Sequence, residues 1–114
     1  MKLIYKIATH DQWQAASARG RFEGAPVDLA DGFIHFSTAA QTRETAAKHF
    51  AGQAGLVVAA LDADAFGGDL KWEPSRGGQL FPHLYRPFDM AEVVWAKPLP
   101  VDAAGAHDFT GLLP

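Results

Sequence analysis

The sequence contains no cysteine, no long apolar run and no block of basic residues. The missing thiols exclude a disulfide scaffold, a cysteine-ligated metal site and thiol catalysis, and they suit a reducing compartment. A net charge of −3 without a basic cluster disfavours general nucleic-acid binding. No stretch approaches the roughly 18 continuous apolar residues of a membrane span, and residues 1–6 lack the apolar core of a signal peptide. We therefore expect a cytoplasmic protein that does not bind membranes.

What the chain does contain is enough apolar material for one core. Its 114 residues have a mass of 12.3 kDa and are 48% hydrophobic. A chain of this size buries about two-thirds of the surface that it exposes when unfolded, so it folds without disulfides or metals. We expect a single domain over residues 1–114.

The first half of the sequence predicts two helices, each preceded by a strand. Residues 3–8 and 32–37 have β-branched and aromatic patterns typical of strands. Capping boxes, Thr9 with Gln12 and Thr38 with Gln41, predict helices over residues 10–19 and from about 39 to 50. Between the first helix and the second strand, the glycines and aspartates of residues 20–32 predict a loop with a short extended piece.

The second half predicts strands. Residues 56–61 form a continuous apolar run, which favours an internal strand covered on both faces. Residues 70–73, 80–85 and 91–97 are further strand candidates; Pro82 favours an edge, a bulge or a bend in one of them, and Pro98 ends the last. The polar tail predicts fraying over the last dozen residues. The fold class is therefore α+β with a mixed or antiparallel sheet.

Alternation along two of these strands places polar groups beside each other. His35 and Ser37 share one strand face, and His83 and Tyr85 share another. Two strands that each present an imidazole beside a hydroxyl are suited to line a ligand cleft. The alternative is that each polar group is satisfied separately inside the core.

A third element lies between these two strands along the chain. Glu73, beside Trp72, is a candidate general acid or base, a candidate acceptor for ribose hydroxyls, or a solvated strand-end carboxylate. The segment from Ser75 to Gly78 carries Arg76, which offers a bidentate contact to a phosphate. A plain turn is the alternative for this segment, since no Walker loop is present.

Two other site types have little support. The five histidines show no H-x-H or H-x-x-x-H spacing, so a metal site would have to assemble His35, His83 and Glu73 from distant segments. No G-x-S-x-G elbow is present, so nothing supports an esterase-type triad.

The order and spacing of three motifs, G-F-I-H-F-S-T at 32–38, W-E at 72–73 and F-P-H-L-Y at 81–85, resemble the domain-of-unknown-function family 952. The likeness extends from about residue 3 to residue 97 and includes residues 3–7, Trp13, Gln41, Thr45, Phe50 and Pro87. The resemblance implies a small bacterial protein with the fold of ADP-ribosylating enzymes: a split sheet around a nicotinamide-dinucleotide cleft. It also implies that His35 holds a ribose. Tyr85 and Glu73 are candidates for the nicotinamide pocket and the transfer step, although no complete H-Y-E or R-S-E signature is present.

These patterns lead to one main functional hypothesis and two alternatives. The main hypothesis is a nucleotide or NAD-related cleft with ADP-ribosyl-transfer-like chemistry and NAD as the candidate cofactor. The alternatives are a non-catalytic module that binds a metabolite or a partner, and a metal-dependent hydrolase. The predicted catalytic residues are Glu73 and His83, the predicted ligand-binding residues are His35, Ser37, Trp72, Arg76 and Tyr85, and no residue is assigned to a metal.

Overall fold

Eight strands and three α-helices make up the regular structure of the described chain. The computed structural model describes residues 1–114, except for the side chain of Arg76. In chain order the elements are β1 (Leu3–Thr9), α1 (His10–Arg19), β2 (Arg21–Phe22), α2 (Pro26–Asp31), β3 (Ile34–His35), α3 (Ala39–His49), β4 (Leu56–Asp62), β5 (Leu70–Pro74), β6 (Leu80–Leu84), β7 (Phe88–Asp89) and β8 (Val93–Leu99). Short 3₁₀ segments cover Ala63–Asp69, Arg76–Gly78 and Met90–Glu92. None of the helices in the described part of the chain has the length and hydropathy needed to cross a lipid bilayer.

The predicted α+β class is confirmed, and the described strand pairings are all antiparallel. One sheet has the order β1-β4-β8, a second has the order β3-β6-β5, and β2 pairs with β7. The two larger sheets meet where Tyr5 and Ser37 exchange two backbone hydrogen bonds, of 2.8 and 2.9 Å. Beyond that bridge they diverge, so the sheet is split at this point.

Strand β4 is the central strand of its sheet, as its apolar run predicts. Ala59 and Leu61 contribute to one core cluster, whereas Val58 and Ala60 contribute to a second cluster on the other face. Covering by both clusters leaves Val58, Ala59, Ala60 and Leu61 without exposed surface. This double burial explains why the strand lacks polar alternation.

The boundaries of helix α1 follow from its capping residues. The Thr9 side chain accepts from the Gln12 N–H at 3.1 Å, and the Gln12 side chain accepts from the Thr9 N–H at 3.0 Å. Gly20 ends the helix with φ of 87°, a left-handed conformation that glycine adopts without steric cost. The predicted helix over residues 10–19 is therefore confirmed.

Helix α2 lies in the stretch that the sequence predicts as a loop, and this expectation was wrong. The helix begins with Pro26 at its first position, and the Asp28 carboxylate accepts from the Ala25 N–H at 2.7 Å. Proline at the first position and an acid two residues later are favourable at a helix N-terminus. Because α2 has only 6 residues, no apolar periodicity is visible in its sequence.

Pro82 lies in the central strand of its sheet and not at an edge. Its carbonyl accepts from the Phe36 N–H at 3.0 Å, so its nitrogen also faces the β3 side. Strand β3 ends at His35, and the missing donor therefore falls just beyond that short strand. This arrangement explains how a proline fits inside the sheet.

The C-terminal third differs from expectation in two ways. Strand β8 continues through Pro98 to Leu99, which an outer strand allows because its free edge needs no donor. The tail does not fray over its last dozen residues as expected, because Phe109 is buried in the second core cluster, with Leu112 and Leu113 packed against that cluster.

Candidate functional site

A cavity of about 580 Å³ opens where the two larger sheets diverge. Strand β1, helices α2 and α3, the segment that contains β3, and strand β6 contribute to its wall. Its volume lies within the roughly 300–1,000 Å³ of small-molecule sites. We call it the cleft.

His35 and His83 lie opposite each other on the neighbouring strands β3 and β6 and both line the cleft. Their ring centroids are 5.6 Å apart. The Phe33 ring stacks on His83 with a centroid distance of 4.0 Å. The structure therefore brings together the two imidazoles that the sequence analysis proposes as cleft residues.

The His83 ring forms a hydrogen bond with Glu73. Its Nδ1 lies 2.8 Å from Glu73 Oε1, and the Tyr85 hydroxyl donates to the same oxygen at 2.7 Å. The hydrogen bonds from Tyr85 and His83 lower the pKa of Glu73, and the bond to Glu73 raises the pKa of Tyr85. Neither Glu73 nor Tyr85 lines the cleft. Glu73 is connected to the cleft by its hydrogen bond to His83, and Tyr85 is connected by its hydrogen bond to Glu73.

The His35 ring lies between two carboxylates of helix α2. Its Nδ1 is 2.7 Å from Asp28 Oδ1 and its Nε2 is 2.9 Å from Asp31 Oδ2. Asp28 also accepts from the His35 backbone N–H at 3.0 Å. These contacts fix the ring orientation at the cleft wall. Nothing in the local sequence around Asp28 and Asp31 indicates that they belong to the site.

Lys6 forms a buried ion pair with Asp28 beside the cleft. The Lys6 ammonium lies 2.9 Å from each oxygen of Asp28, and the two residues are only 5% and 2% exposed. Burial lowers the pKa of Lys6, although the charge of Asp28 opposes this effect. The sequence offered no signal for this pair, because the partners are 22 positions apart and Asp28 lies in the unexpected helix.

Asp28 makes the stability of the fold sensitive to acid. Burial alone raises the pKa of Asp28, but the His35 hydrogen bonds and the charge of Lys6 outweigh it and lower this pKa to about 2. The unfolded chain therefore binds a proton more readily, so stability is present above about pH 4 and is lost as the pH falls towards 2. A shift from 3.8 to about 2 corresponds to about 2 kcal/mol.

We expect urea midpoints measured at pH 5, 4, 3 and 2 to show this loss in the wild type. A double variant Lys6→Met with Asp28→Leu lacks the carboxylate and serves as the reference, since other acidic groups still titrate in it. Equal pH dependence in both proteins would contradict the role assigned to Asp28.

On the outer edge of β1, one backbone N–H and one backbone C=O have no hydrogen-bond partner among the described groups and face the cleft. Tyr5 bonds outward to Ser37, and the Thr9 N–H donates outward to the Gln12 side chain. Because outward-facing residues alternate along an antiparallel strand, the N–H and C=O of Ile7 point the same way. Ile7 is buried and lines the cleft, and no described group is bonded to these two atoms. Buried backbone groups rarely lack partners, so this pair marks a place for a ligand or water.

The remaining predicted site residues lie in different parts of the structure. Ser37 lines the cleft, and its hydroxyl lies 2.8 Å from that of Thr45. Trp72 does not line the cleft, because its side chain packs against the first core cluster, on the face of β5 opposite to Glu73. Lys2 lies over its ring at 4.3 Å. The predicted phosphate contact of Arg76 lies outside the described side chains.

Among the side chains that the structure describes, no group of three or more His, Cys, Asp or Glu residues is arranged to hold a metal ion. The three candidate ligands His35, His83 and Glu73 do not form such a group.

The comparisons match the chain to a family of unknown function and to solved structures. A family model described as "Protein of unknown function (DUF952)" matches residues 7–96. The crystal structure of protein CC0527 from Caulobacter crescentus is 56% identical, has a TM-score of 0.91 and covers 95% of each chain. The solution NMR structure of the same protein has a TM-score of 0.88 and covers 99% of this chain and 97% of that one. No curated protein matches this chain.

Proposed function

Since the chain belongs to the DUF952 family of proteins of unknown function, we propose that its cleft binds a nucleotide-type ligand with an amide edge, with NAD as the leading candidate. The observation that carries this proposal is the unused N–H and C=O pair of Ile7 in the cleft. A primary carboxamide, like that of nicotinamide, has one donor and one acceptor side by side and can satisfy both atoms.

The limited length of the free edge supports a compact amide over a peptide. A peptide that extends a sheet needs several consecutive outward-facing residues on the edge strand. On β1, however, the outward groups of Tyr5 are occupied by Ser37 and the N–H of Thr9 by Gln12. Only one amide group fits between these contacts.

The rest of the cleft suits the other parts of a nucleotide. Phe36, Phe50 and Phe81 contribute apolar surface on which a planar ring can pack. His35 contributes ring surface to the cleft wall, because its two nitrogens are bonded to Asp28 and Asp31. The Ser37 hydroxyl and the Asp31 carboxylate, which also line the cleft, offer polar atoms for ribose hydroxyls. This combination of apolar walls and a few convergent polar groups is typical of small-molecule sites.

ADP-ribosyl-transfer-like chemistry is the catalytic form of this proposal, with Glu73 and His83 as its catalytic candidates. A non-catalytic binding module is the second candidate. It is favoured by the position of Glu73, whose carboxylate is bonded to His83 and Tyr85 and does not line the cleft. Release of nicotinamide from NAD distinguishes the two: turnover supports the enzyme, and binding without turnover supports the module.

Isothermal titration with NAD, ADP-ribose and nicotinamide tests the binding proposal. We expect NAD to bind and His35→Ala to weaken it about tenfold, or about 1.4 kcal/mol, because the variant removes ring surface from the cleft wall and releases the Asp31 carboxylate from its fixed position. His10→Ala is the matched control, because His10 is an exposed histidine that does not line the cleft. Circular dichroism checks that both variants fold. No binding of any of the three compounds to the wild type would overturn the proposal.

A further inference from the structure

One nitrogen of the His83 ring has a hydrogen-bond partner among the described residues and the other has none. Nδ1 faces Glu73 Oε1 at 2.8 Å, and no partner for Nε2 lies among the described residues. The side chain is only 7% exposed, yet it lines the cleft. A buried polar atom of this kind calls for a partner that arrives with the ligand.

The protonation of the ring follows from its environment. Glu73 Oε1 accepts from the Tyr85 hydroxyl as well, and these bonds lower the pKa of Glu73, so the carboxylate is ionised near neutral pH. An ionised carboxylate only accepts hydrogen bonds, so the His83 Nδ1 must carry the proton that it shares with Glu73. In the neutral ring, Nε2 then has a lone pair.

We propose that His83 Nε2 is the hydrogen-bond acceptor through which the cleft selects a ligand hydroxyl, and that Glu73 is a positioning residue that fixes the required tautomer. This inference rests on the proposed function and adds a second recognition element to it. Ile7 recognises an amide, whereas His83 recognises a sugar hydroxyl. NAD carries both groups, ADP-ribose carries the hydroxyls, and nicotinamide carries only the amide.

Nitrogen-15 NMR of the ligand-free protein tests the tautomer directly. We expect the neutral His83 ring of the wild type to carry its proton on Nδ1. Glu73→Ala removes the acceptor and should shift the population towards the Nε2–H form, whereas Glu73→Gln retains an acceptor oxygen and should preserve the wild-type tautomer. Tyr85→Phe leaves Glu73 in place and should also preserve it. An Nε2–H tautomer in the wild type, or no change in Glu73→Ala, would overturn the inference.

Titration of the same variants provides the functional readout. Glu73→Ala should weaken ADP-ribose binding at least tenfold and change nicotinamide affinity by less than twofold, and Glu73→Gln should restore ADP-ribose binding. Equal losses for both compounds would contradict a hydroxyl-specific role. If the wild type bound none of the compounds, the proposed function would fail, whereas the tautomer measurement would still decide whether Glu73 sets the state of His83.

Discussion

Replacing Asp28 by asparagine is expected to lower the free energy of unfolding by about 3–5 kcal/mol, the usual cost of removing one partner from a buried ion pair. The substitution leaves the Lys6 ammonium 95% buried without its counter-charge, and it weakens the hydrogen bonds to the His35 ring and backbone. Urea unfolding at pH 7 measures the effect.

The neighbouring carboxylate provides a matched control. Asp31→Asn removes a charge from the same helix and from the same histidine, but Asp31 is exposed, so we expect a loss below about 1 kcal/mol. Lys6→Met combined with Asp28→Asn removes both buried charges and keeps an acceptor oxygen for the Ala25 N–H, so it should recover part of the stability lost in Asp28→Asn alone. Equal effects of Asp28→Asn and Asp31→Asn would contradict the structural role of the Lys6–Asp28 pair.

Nicotinic acid is expected to bind at least about 30-fold more weakly than nicotinamide, a difference of about 2 kcal/mol. Its carboxylate can accept from the Ile7 N–H but cannot donate to the Ile7 C=O, and two oxygens then face each other in a buried position. Competition titration at pH 7 compares the two compounds.

Benzamide is the control ligand for this comparison, since it keeps the carboxamide and lacks the ring nitrogen. We expect its affinity to stay within a few-fold of that of nicotinamide. If nicotinic acid bound as well as nicotinamide, the Ile7 pair would not be the recognition element, and the amide part of the proposed function would be wrong.

The parts of the site that the sequence predicts are those that depend on local alternation. The period of two in an extended chain places Phe33, His35 and Ser37 on one face, and Phe81, His83 and Tyr85 on another. The pairing of β3 with β6 then brings His35 opposite His83. The same alternation places Trp72 and Glu73 on opposite faces of β5, so these two neighbours do not both face one site.

The parts that the sequence does not predict depend on long-range packing. Nothing in the local pattern around Lys6 indicates that a strand lysine is buried against a carboxylate 22 positions away. The free backbone pair of Ile7 exists because the chain crosses from one sheet to the other at Ser37, and a strand edge has no residue signature of its own. Pro26 and Asp28 were the local signals available at the start of α2, and they lay among residues typical of a loop.

The most direct test of the proposed ligand site follows the backbone amide signal of Ile7 in a ¹H–¹⁵N spectrum while nicotinamide is added. We predict that this signal is among those that shift most, together with the signals of other residues lining the cleft, and that exchange of the Ile7 amide proton with solvent slows on binding. Saturable shifts confined to residues away from the cleft, with the Ile7 signal unchanged, would contradict the claim that the divergence of the two sheets forms a ligand site.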